Sequence, residues 1–439
     1  MSFYEIHEIL YIIYGYLPKN VREFISPAVE PAFSFAKRVL FIACSIRFSV
    51  YLLQGKEKWG GSSLTTLFFR GSFFGEEKLL YLVDLLYSEE PAKESLGKVF
   101  IWKIKTKLNS DISKADLVFI GVDELFSRFL SGQGFTIIPQ WILFMLDLSK
   151  PLPEIGKALE RDSLRSDLRK IRKYKYSYEI TRDPAKFEYF YRQMHSPYIL
   201  KRFGKLSIVT GFHHLKSIFE KGRLLLIRRE NDYVAGNIIA MDKKSVAFVC
   251  LGTREGKIEF LKQGALAAAY YFNILWAKER GYEWCDFGHC RPFFDDGVFC
   301  YKKKWDMEVQ RSKRIRAIFG MKVCNFSRGA QDFLTKNPFT FIDQDKLKGL
   351  ILVGGDHPLT SEEVQSLFET YHIPGLDCLV IVSPQGFTQQ AKRFASSHPI
   401  KRLRLVSMQP DTGFEKFSFV PGSGNHVSSG EEKMKDEGK

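Results

Sequence analysis

An α/β fold is predicted by three features of the chain. From residue 163 to residue 319 the apolar runs follow the order β, α, α, β, β, β, α, β, short α, β, with polar turns between them. From residue 346 to residue 408 three continuously apolar runs alternate with helical segments, the pattern of a small parallel βαβαβ unit. Between residues 61 and 150 further apolar runs flank one amphipathic helix, so a second mixed unit precedes the first.

The elements follow in order. RVLFIACSIRFSVYLLQ, residues 38–54, is apolar but too short to span a bilayer and is broken by Arg47. It predicts a packed helix, or a helix lying in a membrane interface, at the end of a helical arm over residues 1–60. KEKWGGSS then interrupts the chain with Gly60, Gly61, Ser62 and Ser63. Apolar runs at 64–69, 98–104, 117–122 and 135–148 surround EEKLLYLVDLLY, where Leu79, Leu82, Val83 and Leu86 share one helical face.

DSLRSDLRKIRKYK is a strongly basic helix leading to a strand at 176–181, and the next helix opens at Asp183 with Pro184 in its first position. A helix over 213–220 stops at Gly222, and RLLLIR, YVAGNIIAM and SVAFVCL read as strands joined by hairpin-type turns. The apolar helix over 259–280 closes at Gly281. A strand at 282–287 runs into DFGHCRPFFDDGVFCYKKKW, and a basic strand over 309–319 ends the unit. In the C-terminal part LKGLILVGGDHPLT is a strand, with Thr360 and Glu363 placed as a capping box for the helix after it. LDCLVIVS and IKRLRLVSM are the second and third strands, separated by a helix over 388–396. The last stretch, 411–439, is rich in Gly, Ser and charge from Pro421 onward and has the composition of a disordered tail.

Charge narrows the partners. The chain of 439 residues carries 65 Lys and Arg against 50 Asp and Glu, a formal net charge of +15. That favours phosphates, a CoA tail, RNA or an anionic membrane surface, without choosing among them. Seven scattered cysteines suit reduced thiols in a cytoplasm better than a disulfide framework. Glu5, His7 and Glu8 stand where a secretory leader would need an apolar core, so none is expected.

Two motif readings fail on their context. Asp286, Phe287 and Gly288 spell the kinase DFG, but no HRD loop and no GxGxxG loop with its Lys accompany it. GTREGK, residues 252–257, is one residue short of a phosphate loop and has Ile258 where Ser or Thr must stand, so it reads as a turn. Cys285, His289, Cys290 and Cys300 lie close in sequence without a CxxC chelate, and no metal is expected there.

GNIIAM, the helix KQGALAAAYYFNILWAKERGY and DFGHCRPFFDDGVFCYKKKW together resemble the catalytic half of the Fem-type branch of GNAT acyltransferases, the FemAB-like group that includes peptidoglycan-bridge aminoacyltransferases. In that branch a strand ending in Asp, a loop with Arg and Asp-Gly, and a Tyr-Lys-x-x-aromatic segment recur in this order. Here they fall at Asp286, Arg291, Asp296 with Gly297, and Tyr301, Lys302 and Trp305. The resemblance covers residues 163–319, and WILFMLDLS followed by SLRSDLRKIRK is similar to the branch's junction between two halves. It implies tandem GNAT-like domains, a degenerate half at 61–150 and a catalytic one at 151–330, ahead of a small α/β module at 345–410. The donor would lie where the parallel strands 245–251 and 282–287 splay apart, its phosphates facing the helix start. Leu261 and Leu266 depart from the branch's donor-gripping pattern there.

The resemblance further implies an N-acyltransferase. It would move an acyl or aminoacyl group from acyl-CoA or aminoacyl-tRNA, as co-substrate rather than tightly bound cofactor, to an amine on a small molecule, sugar or lipid-linked envelope precursor. The setting would be cytoplasmic, with membrane contact through the N-terminal arm and no DNA partner. Such transfer needs a deprotonated amine and a stabilised carbonyl oxygen. Asp286 can act as the base or merely fix the turn after it. The resemblance puts Lys302 near the transferred carbonyl, the alternative being a solvated lysine in the run of three. Tyr301, four residues from Trp305, completes this wall. Leu251, Gly252, Lys262, Gln263, Gly264, Ala265 and Trp305 would meet the donor, and His195, Tyr198 and Arg202 of MHSPYILKRFG the acceptor. Arg291 and Asp296 would join the acceptor side as a loop-fixing pair. The rival is an inactive GNAT-like scaffold or RNA-binding protein, which RSDLRKIRKYK and the net charge of +15 favour. A filled gap between the two strands would speak for it. A nucleotide at Gly354 and Gly355 is a third reading, lacking the third glycine of a dinucleotide loop.

Overall fold

A computed structural model describes residues 46–71, 76–149, 162–207, 209–397 and 402–408, with residues 35 and 39 besides. The rest of the expected N-terminal arm and the expected tail at 411–439 lie outside the described residues. In chain order the strands are β1 (Arg47–Lys56), β2 (Ser63–Gly71), β3 (Ala92–Phe100), β4 (Leu117–Asp123), β5 (Thr136–Pro139), β6 (Ile142–Asp147), β7 (Ser177–Thr181), β8 (Arg223–Arg229) and β9 (Asp232–Met241). They continue as β10 (Ser245–Thr253), β11 (Trp284–Cys290), β12 (Glu308–Arg311), β13 (Ala317–Val323), β14 (Phe339–Asp343), β15 (Lys346–Leu352), β16 (Cys378–Ser383) and β17 (Leu403–Ser407).

Two mixed sheets result. One has seven strands in the order β12-β6-β11-β10-β9-β8-β7, the other ten in the order β17-β16-β15-β14-β5-β13-β4-β2-β1-β3. They exchange strands: β6 enters the seven-stranded sheet between β11 and β12, while β13 returns to the ten-stranded sheet between β4 and β5. The expected basic strand over 309–319 is therefore split. Its first part is β12 and its second β13, and Ser312 turns the chain between them by accepting the Ile315 N–H at 2.9 Å.

The helix expected over residues 38–54 is overturned for 47–54, which form β1 instead. Phe48, Val50 and Leu52 are buried on alternate positions, and the strand pairs on both sides with β2 and β3. The Gly-Ser break is then the turn of the β1–β2 hairpin, not an inter-domain link. The helix expected over 259–280 is broken in two, Ile258–Lys262 and Ala265–Glu279, by Gly264 at φ +85.

At the C-terminal end β15, β16 and β17 are parallel, and Thr360 and Glu363 exchange the two hydrogen bonds of a capping box at 3.3 and 2.8 Å. They do not stand apart as a separate module. β15 pairs along its length with β14 and so extends the ten-stranded sheet. Gly375 packs so closely on β12 that a Cβ there would lie 2.1 Å from the Val309 carbonyl oxygen. Among the described residues no helix is long and apolar enough to cross a membrane.

Candidate functional site

β10 and β11 run parallel and pair at Ser245–Trp284, Val246–Cys285 and Ala247–Asp286, and no further. Both are irregular just beyond. β10 slips register against β9 between Val249 and Leu251, where Cys250 takes φ +56, and β11 slips against β6 between Asp286 and His289, where Gly288 takes φ +76. A bulge bends its strand and raises the local twist, so two of them on facing strands separate the pair. The predicted splay is present.

The β11 wall is closed by its own hydrogen bonds. Asp286, at the last paired position, accepts the Gly288 N–H at 2.7 Å, which fixes the turn as the second of its two readings has it. Lys302 is 3% exposed, and its Nζ donates to the carbonyls of Gly288 at 2.9 Å and His289 at 3.0 Å. It is thus neither a solvated lysine nor a cation open toward a ligand, and burial lowers its pKa. Its neighbours are also engaged: Lys303 donates to the Thr370 carbonyl and Lys304 pairs with Asp167. The lysine run ties the helix Gly297–Lys303 to three different elements. His289 Nε2 lies 2.7 Å from Ser312 Oγ, and burial pushes the imidazole down to about 4.

Arg291 and Asp296 are not a pair, contrary to expectation. The Arg291 guanidinium sits 3.8 Å over the Tyr81 ring, while Asp296 caps the helix Gly297–Lys303 by accepting from the N–H groups of Val298 at 2.9 Å and Phe299 at 3.2 Å. Both fix the loop separately.

The β10 wall is different. The helix Pro184–Tyr189, capped by Asp183, passes into a π-helical turn, Phe190–His195, and then into the helix Ser196–Phe203. Such a turn is a costly irregularity often found at functional sites. It presses His195 onto β10, where Nδ1 lies 3.0 Å from the Leu251 carbonyl oxygen. Gly252 has no room for a side chain, since a Cβ would lie 2.5 to 2.7 Å from backbone atoms of Met194 and His195. His195 is 2% exposed, its Nε2 has no partner among the described residues, and burial lowers its pKa. Thr253 Oγ1, at the end of the same strand, is also buried and unpartnered. Burial pushes the Cys250 thiol up to about 11, so it is no nucleophile at neutral pH. Burial raises the pKa of Tyr198, and the exposed Arg202 opposes that shift.

Aromatic rings floor the gap. Phe287 lies 4.6 Å from Phe248 and 4.8 Å from Tyr270, and Tyr270 lies 5.1 Å from Tyr301 and 5.5 Å from Trp305. Trp305 is 1% exposed, so it is core beneath the gap rather than a donor contact. Its helix ends at Lys303, and it does not share a helical face with Tyr301, 6.5 Å away. Tyr301 Oη and Trp305 Nε1 are buried without partners.

The expected donor loop is occupied by the chain itself. Gln263 Oε1 accepts from Arg229 Nη1 at 2.8 Å, and Ala265 is fully buried. A Cβ on Gly264 would lie 3.1 Å from Lys170 Cβ, so the basic helix Asp162–Lys173 closes over the helix start, leaving Lys262 outside and exposed. Thr253 escaped the sequence reading; a lone Thr at a strand end carries no signal of its own.

No protein-family model and no curated protein matches the chain. Among solved structures it is similar to L-PGS from Bacillus licheniformis, at 14% identity over 64% of this chain and 87% of that one, with a TM-score of 0.32. It is also similar to FemX, at 15% identity over 61% and 83%, with a TM-score of 0.33. A GCN5-related N-acetyltransferase from Sphaerobacter thermophilus matches at 12% identity over 60% and 73%, with a TM-score of 0.29.

Proposed function

We propose that the chain is an N-acyltransferase whose reaction takes place at the gap between β10 and β11, with an acyl or aminoacyl group passing from a CoA thioester or a tRNA ester to an amine. One observation carries the reading: among the described residues the only parallel pair in the seven-stranded sheet stops after Ala247 and Asp286, with a bulge on each strand just beyond. Strand edges that part in this way offer main-chain groups and a sheltered cleft to an extended, amide-bearing donor. Lys302 serves as a positioning residue, holding the Gly288 and His289 carbonyls and hence the β11 side of the gap. The covered Gly264 weighs against a phosphate tail bound at that helix start.

The test is thermal unfolding of the full chain with acetyl-CoA, longer acyl-CoAs and aminoacyl-tRNA, followed by transfer assays with labelled donor and a panel of amines. A ligand at 100 times its Kd raises stability by about 2.7 kcal/mol. Absence of both stabilisation and transfer across all donors overturns the reading.

A second reading, an RNA-binding scaffold, is favoured by a concavity of ≈ 370 Å³ lined by Arg165, Leu168, Arg169 and Arg172, and by the aromatic filling beneath the gap. It predicts tRNA binding that weakens steeply with salt, with no transfer chemistry.

A further inference from the structure

We infer that His195 is the general base of the transfer, an inference that rests on the acyl-transfer reading. The argument starts from the hydrogen bond to Leu251. A carbonyl oxygen can only accept, so at 3.0 Å from it Nδ1 must carry the ring proton. In the neutral ring Nε2 is then a bare lone pair, and it is buried with no partner among the described residues. Neutral imidazole with one nitrogen oriented by a carbonyl and the other free is the arrangement that accepts protons. Burial, by disfavouring the imidazolium, keeps the resting ring neutral.

Its position suits the reaction. Leu251 lies on the part of β10 beyond Ala247, the last residue paired with β11, so the ring stands beside the diverging half of the gap. At 2% exposure it would be reached once the adjoining helix Ser196–Phe203, none of whose residues is buried, shifts to admit the acceptor. Asp286, the residue for which the sequence leaves base and turn-fixing roles open, has one oxygen committed to Gly288. Of the titratable and charged groups on the elements packed around His195, Tyr191 lies on its own turn at 5.9 Å, Tyr198 on the next helix and Cys250 on β10. Arg192 on the same turn is exposed and pairs with Glu188 at 2.8 Å, and Lys201 and Arg202 on the next helix are exposed. In the loop after β10, Arg254 pairs with Asp232 at 3.2 Å and Glu255 with Lys257 at 2.8 Å.

The step balances without another reagent. The acceptor nitrogen's lone pair forms the new C–N bond as the donor's C–S or C–O bond breaks. The proton lost from that nitrogen passes to Nε2, and the imidazolium then gives it to the departing sulfur or oxygen.

The test is His195→Asn, because the Asn amide nitrogen takes the place of Nδ1 and can still donate to Leu251, whereas nothing replaces Nε2. His195→Ala removes both. If His195 is the base, wild-type kcat falls with decreasing pH below 6.5, the ordinary histidine value from which its pKa is lowered. His195→Asn should then fold as the wild type, lose about 10²-fold or more in kcat with little change in KM, and lose that acid limb. A His195→Asn enzyme with wild-type kcat and an unchanged pH profile overturns the inference and leaves the acyl-transfer reading standing. A wild-type chain with no transfer on any donor overturns both.

Discussion

The two strands that bound the gap settle their polar groups in opposite ways. On the β11 side Asp286, His289, Lys302 and Asp296 each have a hydrogen-bond partner inside the chain. On the β10 side His195 Nε2 and Thr253 Oγ1 are buried with none among the described residues. A buried polar atom left unpaired costs about 1–3 kcal/mol, and folded proteins keep few of them. The wall richest in charge is tied down by its own hydrogen bonds, whereas unpartnered buried atoms lie on the plainer β10 wall and, with Tyr301 Oη and Trp305 Nε1, in the aromatic floor.

The sharpest way to break this comparison is steric. Gly252→Ala pushes a Cβ to within 2.7 Å of backbone atoms of Met194 and His195, which cannot yield as a side chain would. It should destabilise by about 3 kcal/mol or more, read as a lowered thermal midpoint. Tolerance of alanine would mean that the π-helical turn is not pressed against β10, and the His195 geometry would lose its basis. Lys302→Met comes next, at about 3 kcal/mol, because it strands the Gly288 and His289 carbonyls in the interior. A variant that keeps its stability but loses turnover would instead make Lys302 a catalytic cation.

A comparable effect, about 3 kcal/mol, comes from His289. Its folded pKa of about 4 lies below the ordinary 6.5, so between those values the unfolded chain binds the proton and the folded one does not. Stability should therefore be fully present above pH 6.5 and decline as pH falls toward 4. His289→Gln should flatten that part of the stability profile. An unchanged profile would show that the ring is not held neutral against Ser312, and the β11 wall would be less closed than described.

How much of this could be read in sequence depended on distance along the chain. The run β8, β9, β10, helix, β11 was legible because its hairpins and periodicities are local, and so was the Thr360–Glu363 capping box. β1 was not, since Leu53 is buried as well as Phe48, Val50 and Leu52, and apolar residues on both faces of a strand look like a buried helix. The exchange of β6 and β13 between sheets has no local signature at all. The bond of His195 spans 56 residues and depends on a π-helical turn, so the sequence could nominate the residue but not its role. Lys302 was nominated by the resemblance, which puts it near the transferred carbonyl, and only the packing reveals that its charge is spent on the carbonyls of Gly288 and His289.

The smallest expected effect sharpens the comparison most. Asp286→Asn keeps an oxygen that can accept the Gly288 N–H and removes the negative charge, while Asp286→Ala removes both. If Asp286 only fixes the turn, the Asn variant should stay within about 0.5 kcal/mol of the wild type with its turnover preserved, and the Ala variant should lose about 1 kcal/mol. The charge matters to its surroundings, since Asp286 favours the charged forms of both Lys302 and His289. A general base cannot work without that charge, because an amide does not accept the acceptor's proton. Measured turnover in the Asn variant therefore separates the two roles without disturbing the fold. Should it collapse while the thermal midpoint holds, the base lies on β11, and the assignment of scaffold to one wall and chemistry to the other must be reversed.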